Sequence, residues 1–345
     1  MSDVQYSVVN SDELGSFLTS GVIGSRPLWS NKRTGEVQIR GNRGMKVNSV
    51  LRKDEWEELD QSVIMAARQP LNLTEDLRRA GLVRTLGGIG TLTSQWNYAS
   101  DMTRPSVTMT GVGQTEKDRI DHMMASVPVP VISKEFDIEL RALEASRRLG
   151  NGIDTTNAEA ASRSVVEEQE RIAIDGNANI VLNGGGIFGI TNESHRNTAT
   201  AAAYGGGDFG TITNILPTIL GQIGVLRGDS FYGPYNVYIA PTQYSQCEAV
   251  YTDGSGDRAL DRILRVEGVQ SVKINPLLAD GECTVIQMTS DVIDLAYVPA
   301  YWPVTTVEWT SGDGMLVHFK AMAIGVPRIK FKYGGESGIS HATAA

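Results

Sequence analysis

The glycine-rich string GGGIFG at residues 184–189 is the first candidate for chemistry, because its spacing matches the G-x-G-x-x-G of dinucleotide-binding loops. Such a loop holds pyrophosphate only where a helix opens at the last glycine and directs its amide groups at the ligand. The residues that follow, ITNESHRNT, have no helical pattern. We therefore expect a tight-turn loop here and not the phosphate-binding loop of a nucleotide-binding enzyme.

Four glutamates lie in the stretch 154–176, at Glu159, Glu167, Glu168 and Glu170. Such a group could serve acid–base catalysis or bind a metal ion if a cleft perturbed the pKa values of its members. Arg163, Glu167 and Arg171 stand four residues apart instead, which predicts ion pairs of Glu167 with both arginines along an exposed helical face. We expect a solvated or inter-subunit face.

The four histidines and two cysteines form no recognisable metal or nucleophile motif, since no H-E-x-x-H, G-x-S-x-G or S-x-x-K string is present. Cys247 and Cys283 are expected to be small buried side chains. His318 alternates with apolar residues, which predicts a packed or edge position in a strand, and His341 is expected to lie in a loose tail. We expect no catalytic residue, no metal and no cofactor.

Composition indicates a globular protein: 41% of the 345 residues are hydrophobic and 21% are charged. No apolar run approaches the roughly 18 residues of a membrane span, and the N-terminal residues lack the regions of a secretory signal. We therefore expect a cytoplasmic protein with no membrane partner.

Charge is unevenly placed along the chain. Residues 24–53, here called the basic segment, contain eight cations and one anion. Their net charge of +7, against −9 for the whole chain, leaves −16 for the rest. The acidic remainder argues against a general nucleic-acid binder. The basic segment could contact a neighbouring copy or phosphate, and the sequence leaves both open.

The sequence predicts an irregular arm at residues 1–50, a helix from Asp54 to about Arg68, and a short helix capped by Thr74. A helix of about residues 155–175 follows later, with Thr156 and Glu159 as its capping box. Its apolar stripe consists of Ala158, Ala161, Val165 and Ile172.

Between these helices, residues 91–110 and the string VPVPVISKEFDIEL are typical of two long strands joined by the turn GVGQTEKDR. The middle of this hairpin has few large apolar residues, so it cannot bury much against its own domain. Alternating helices and strands follow, and the last part of the chain is strand-rich. The order predicts an α+β fold and no doubly wound sheet.

Several strings resemble, in order and spacing, the encapsulins and the major capsid proteins of tailed bacteriophages, which share the Hong Kong 97-type fold. The strings are LRKDEWEELDQSV, the hairpin return strand running into the long helix, GGGIFGITN, GPYNVYIAPTQY and the run from ALDRIL to VEGVQSVKINPLL. The resemblance covers roughly residues 51–333.

The resemblance implies a division of the chain into five parts. These are an extended N-terminal arm (1–50), a P-domain (51–92, 131–192 and 303–333) with the spine helix at about 155–175, an extended hairpin loop (93–130), an axial domain (193–302) and a C-terminal tail (334–345).

The implied function is structural: self-assembly into the icosahedral head of a phage, around its dsDNA genome, in the cytoplasm of a bacterial host. The implied partners are other copies in pentamers and hexamers, separate scaffolding and portal proteins, possible decoration proteins, and DNA touched non-specifically at the lumen. An encapsulin-like compartment that packages an enzyme cargo is the alternative, and the additional arm favours the phage capsid. Candidate inter-subunit residues are Arg26, Arg40, Arg43, Lys46, Trp96, Tyr98, Arg104, Lys117, Arg119, Arg163, Glu167 and Arg171.

Overall fold

The computed structural model describes residues 6–8, 28–31, 37–39, 53–66, 72–110, 117–149, 154–182, 184–207, 209–251, 256–309 and 316–344. The chain divides into two compact units, Met1–Arg52 and Lys53–Ala345. In the first unit, the strands Tyr6–Val8 (β1), Leu28–Asn31 (β2) and Val37–Ile39 (β3) form an antiparallel sheet. The sequence predicts no strands there, because runs this short show no lasting alternation.

The second unit combines α-helices with strands, as predicted. Its helices are α1 (Lys53–Ala66), α2 (Leu73–Arg79), α3 (Leu140–Leu149), α4 (Thr156–Asp175), α5 (Ile212–Gly228), α6 (Pro241–Cys247) and α7 (Ala259–Leu264). Its strands are β4 (Val83–Thr85), β5 (Thr93–Ala99), β6 (His122–Pro128), β7 (Val131–Glu139), β8 (Asn177–Leu182), β9 (Gly185–Ile187), β10 (Asn197–Thr200), β11 (Tyr235–Ile239), β12 (Val269–Ile274), β13 (Cys283–Gln287), β14 (Ile293–Tyr297), β15 (Thr305–Trp309), β16 (Leu316–Ile329) and β17 (Ile339–Thr343).

Sheet I is five-stranded, in the order β10-β17-β13-β11-β12. Every residue of β11 and β13 is buried, and the apolar face of α5 contributes Ile215, Ile219 and Ile223 to the same core. β17 lies inside this sheet, between β10 and β13. The prediction of a loose tail at His341 is therefore wrong: its side chain is buried within a paired strand. β17 has only five residues, which is too short for a clear strand pattern in the sequence.

Sheet II has the order β15-β16-β14-β4, and β7 also pairs with the long strand β16. β14 lies in the middle of this sheet, although the resemblance placed its residues in the axial domain. α4 packs against β7 and β16. Its predicted stripe is confirmed, because Ala158, Ala161, Val165 and Ile172 are all buried.

The hairpin consists of β5 and β6, paired antiparallel from Thr93 opposite Pro128 to Ala99 opposite His122. These strands are shorter than predicted, since residues 100–110 and 117–121 form no strand. The predicted return strand is in fact two strands. Pro128 and Pro130 offer no amide for a ladder, so the chain leaves β6 there and begins β7 at Val131.

Two predicted helix caps are shifted by a residue or more. α4 has Thr155 as its N-cap residue, and the Thr155 hydroxyl donates to Glu159 Oε1 at 2.9 Å. Thr156 is already helical, so the prediction of a capping box formed by Thr156 and Glu159 is wrong. Thr74 likewise lies inside α2, whose N-cap residue is Asn72. Sequence patterns define the ends of a helix only to within one or two residues.

Candidate subunit interface

The hairpin and its flanks expose a long series of large apolar side chains. Val107 and Met109 are almost wholly exposed, at 96% and 104% of their full accessibility. Further exposed members of the series are Ile89, Leu92, Met102, Ile120, Met123, Met124 and Val131. Exposed large apolar side chains concentrated in one part of a protein mark surfaces that another protein covers. This hairpin surface, residues 89–110 and 117–131, is the candidate interface.

The base of the hairpin is fixed to sheet II by a buried ion pair. Arg328 on β16 donates from Nε to Asp294 Oδ1 at 2.6 Å and from Nη1 to Ser94 Oγ of β5 at 3.2 Å. Lys330 Nζ donates to the same Asp294 carboxylate at 2.7 Å. The guanidinium also lies over the ring of Trp96, 5.8 Å from its centroid. A charge this deeply buried requires such partners.

A second attachment is aromatic. The Tyr98 and Phe331 rings lie 5.1 Å apart at 58°, and His195 stacks on Phe331 at 3.9 Å and 12°. Trp96 and Tyr98 were predicted to contact another subunit, and the structure places both at the hairpin base against their own chain. They hold the hairpin that presents the apolar series, and any contact with a second copy stays a prediction.

The string GGGIFG is explained by close packing. A Cβ on Gly185 would lie 2.2 Å from the carbonyl oxygen of Ser126 on β6, and one on Gly189 would lie 2.2 Å from the carbonyl oxygen of Ile174. β8 pairs with β9, which contains Gly185, Gly186 and Ile187. The residues that follow Ile187 form a turn and not a helix. The geometry offers no helix N-terminus for a pyrophosphate, as the sequence indicated.

The carboxylates of α4 separate into two kinds. Arg171 donates from Nε to Glu168 Oε2 at 2.8 Å, so its partner is Glu168 and not the predicted Glu167. Arg163 and Glu167 are exposed and form no ion pair with any residue that the structure describes. These positions fit the predicted solvated or inter-subunit face. Glu170 does not, because its side chain is buried.

Glu170 caps the start of α2. Its carboxylate accepts hydrogen bonds from the amides of Leu73 at 2.7 Å and Thr74 at 3.2 Å, and from the Thr74 hydroxyl at 2.8 Å. Burial raises the pKa of the Glu170 carboxyl, and these hydrogen bonds oppose the shift in part. The long helix therefore holds the short one through a buried carboxylate, and the prediction that Glu170 belongs to a solvated or inter-subunit face is wrong.

α2 is tied in turn to sheet I. Tyr238 on β11 donates its hydroxyl hydrogen to Asp76 Oδ2 at 2.8 Å, and Lys273 on β12 pairs with the same carboxylate. Burial and the Asp76 charge raise the pKa of Tyr238 well above its usual value. A chain of polar contacts thus runs from the spine helix through α2 to sheet I.

The other predicted contact residues fall into two groups. Arg104, Lys117 and Arg119 are exposed on the hairpin, where they are accessible to a partner. Arg26, Arg40, Arg43 and Lys46 lie outside the described residues. Arg328 was not among the predicted residues, although an arginine in the apolar run AIGVPRIK signals a buried cation that needs a carboxylate.

The described residues contain no group of three or more His, Cys, Asp or Glu side chains that could hold a metal ion. Ser194 and Glu193 both contact Nδ1 of His195, at 3.1 Å each, so the imidazole cannot relay a proton between them as in a catalytic triad. Both cysteines are buried as predicted, and burial raises the pKa of the Cys247 thiol to about 12. His318 is packed in β16, where it pairs with Asp137.

No helix within the described ranges is both long and apolar enough to cross a membrane.

Comparison with known proteins decides the family. The model of the family described as "Family of unknown function (DUF6260)" matches residues 45–299, well over half of the chain. This chain belongs to the DUF6260 family. Among curated proteins, the type 1 encapsulin shell protein EncA of Myxococcus xanthus is 24% identical over 201 residues. That match covers 58% of this chain and 65% of EncA, so it spans less than two thirds of the relative.

Solved structures show the fold of this DUF6260 member. The virus-like particle protein of Pyrococcus furiosus is similar with a TM-score of 0.56 and 15% identity, over 84% of this chain and 99% of that one. The capsid protein of the Myoviridae phage XM1 gives the same TM-score and identity, over 79% and 92%. The predicted α+β, Hong Kong 97-type shell fold is confirmed.

Proposed function

We propose that this DUF6260 chain is a structural subunit that assembles with copies of itself into a closed icosahedral shell. The observation that carries the proposal is the hairpin surface, whose apolar side chains are exposed in the part of the chain that the structure describes, although the hairpin base is firmly anchored. The shell fold supports it, because the similar solved chains are capsid and virus-like particle proteins. Such a subunit acts by burying self-complementary surfaces between copies, and not by catalytic turnover.

Within this proposal, sheet II with α4 belongs to the P-domain and sheet I to the axial domain that lines pentamer and hexamer centres. The exposed cations Arg104, Lys117 and Arg119, and the face of Arg163, Glu167 and Arg171, contact neighbouring subunits. Charged residues at the rim of an apolar contact set register and orientation more than they add affinity.

We further propose that the shell is the head of a tailed phage enclosing dsDNA, with separate scaffolding and portal proteins. Similarity over 92% of the phage XM1 capsid chain supports this. The second candidate is a compartment that packages an enzyme, and the match to the encapsulin shell protein EncA supports that one.

Expression of the full chain, followed by size-exclusion chromatography and negative-stain imaging, tests the shell. Hollow particles are expected, and a stable monomer or dimer would refute the proposal. Particles isolated from the native source then separate the two candidates. Nuclease-resistant DNA inside them, with terminase and portal genes nearby, supports the phage head, whereas a co-purified enzyme encoded beside the shell gene supports the compartment.

A further inference from the structure

β7 is an edge strand of sheet II. β15 and β7 pair with the same part of β16, so they lie on its two opposite sides. In the part of the chain that the structure describes, no other strand pairs with β7. The strand is nine residues long, keeps an unbroken register with β16 and contains no proline. Natural proteins seldom leave so long an edge open, because its unpaired backbone groups can pair with another strand.

The unpaired backbone groups of β7 belong to alternate residues. The side-chain nitrogen of Asn157 lies 3.5 Å from the carbonyl oxygen of Asp137, so this carbonyl points away from β16. In an antiparallel strand, the N–H and C=O of one residue point to the same side, and the side alternates along the strand. Ser133 and Glu135 therefore also direct their backbone groups outward, where no described residue pairs with them.

A groove of about 410 Å³ runs along this edge, between β7 and the start of α4. Its apolar lining residues are Phe136, Ala160 and Ala161. The carboxylates of β7 are engaged on the other face of the sheet: Glu135 pairs with Lys320 of β16 at 3.0 Å. Asp137 pairs with His318 of β16 in the same way. The groove therefore suits an added strand with apolar side chains toward α4 and polar side chains on the opposite face.

The string SVTMT of the hairpin, here called the distal segment, has the sequence pattern of such a strand. Val107 and Met109 alternate with Ser106, Thr108 and Thr110, which is the period of a half-buried strand. All five residues are exposed, and none of them lies in a strand of the single chain. A strand-forming sequence and an open strand edge thus occur in one chain, each without a strand partner among the described residues.

The hairpin directs the distal segment away from β7 of its own copy. β7 pairs with residues 316–324 of β16. Ser94 at the hairpin base contacts Arg328, beyond that pairing. Tyr98, further along the hairpin, contacts Phe331, which is further still from β7 along the chain. The distal segment follows Tyr98, so β7 of the same copy is not its partner.

We propose that the distal segment of one copy pairs antiparallel with β7 of a second copy and fills the groove beside α4. The inference rests on the proposed shell, because it requires two copies in contact, and it names the surface that covers part of the hairpin. Backbone hydrogen bonds to the open edge supply affinity in a contact of this kind, and the groove supplies specificity for alternate side chains.

The expected register places Thr108 opposite Glu135 as a hydrogen-bonded pair. Val107 then lies opposite Phe136, in the apolar part of the groove, and Met109 points to the same side. The hydroxyl side chains of the segment lie on the opposite face, beside the carboxylates of β7. Both faces of the added strand are thereby matched to their surroundings.

Disulfide trapping in particles tests this pairing. Chains with Thr108→Cys and chains with Glu135→Cys are mixed as dissociated subunits, assembled and oxidised with oxidised glutathione. Opposite residues of a hydrogen-bonded pair have Cα atoms about 5.5 Å apart, which suits a disulfide. We expect a disulfide-linked dimer whose bond joins positions 108 and 135 in peptide mass mapping.

Glu139→Cys is the matched control for Glu135→Cys. It is exposed on the same edge, but it lies four residues further along, about 13 Å away, which is beyond the reach of a disulfide. Particles in which position 108 forms no disulfide with position 135, or forms as much with position 139, would overturn the strand pairing and leave the shell intact. A chain that forms no particles would overturn the proposed function as well.

A second pair of variants tests the seating of the apolar side chains. Val107→Asn, added to the chain with Thr108→Cys, should lower the disulfide yield about tenfold, because one valine side chain is no longer buried in the groove. Ser106→Asn changes the polar face of the same segment and should alter the yield by less than about twofold. Equal effects of the two substitutions would overturn the placement of Val107 in the groove.

Discussion

Replacement of Glu170 by alanine removes the buried carboxylate that caps α2. The amides of Leu73 and Thr74 then have no acceptor at a helix start that is closed to solvent. Leu73 and Leu77, both fully buried, are held in the core by the same short helix. The variant should therefore lose stability across the contact between α4, α2 and sheet I, and not only at one side chain.

The magnitude follows from three contributions. Two unpaired buried amides cost about 3 kcal/mol together, at 1–3 kcal/mol for each unsatisfied donor. Loss of the one buried methylene, Cγ, removes about 0.8 kcal/mol. Removal of a buried charge returns about 1 kcal/mol or more, because an ionised carboxylate is desolvated in the folded chain. The net loss expected for Glu170→Ala is about 3 kcal/mol.

Urea unfolding of the full-length chain, followed by tryptophan fluorescence at one fixed protein concentration, measures this loss. Glu167→Ala is the matched control, because Glu167 is exposed on the same helix; it should change the free energy of unfolding by less than about 0.5 kcal/mol. An equal loss in both variants, or a loss below about 1 kcal/mol for Glu170→Ala, would refute the capping role.

Three further predictions follow from the buried groups. Burial raises the pKa of Glu170, so the chain should gain stability relative to Glu170→Gln as pH falls from neutral toward 4.5; the opposite slope in urea unfolding would contradict this. Arg328→Ala should cost about 3 kcal/mol, and the exposed-pair control Arg265→Ala less than about 1 kcal/mol, in the same assay. Gly185→Ala should displace the hairpin base and lower the midpoint of thermal unfolding, whereas Gly224→Ala, in open helical surroundings, should not; equal midpoints would refute the packing role of Gly185.

The elements that the sequence predicted well are those with long, regular patterns. The apolar stripe of α4 has a helical period over twenty residues, and the buried strand β11 is a short apolar run between turns. Both patterns follow from local geometry, so they can be recognised without knowledge of the partners. The order of the elements then supported the resemblance that predicted the fold.

Long-range pairing could not be predicted in the same way. Glu170 and Glu167 look alike in the sequence, and only the position of α2, about a hundred residues earlier in the chain, makes one of them buried. His341 is buried because β17 enters sheet I between two strands that are distant in sequence. Contacts of this kind depend on tertiary packing, which overrides local pattern.

Methionine oxidation tests whether the hairpin surface is buried between copies, as the proposed shell requires. Met102, Met109, Met123 and Met124 are exposed in the single chain, whereas Met288 is buried in its core and serves as the control. Peroxide oxidises accessible methionines to sulfoxides. We predict that these four methionines are oxidised in dissociated subunits and protected in particles, while Met288 is protected in both. Equal oxidation of these four methionines in particles and in subunits would contradict burial of the hairpin surface between copies.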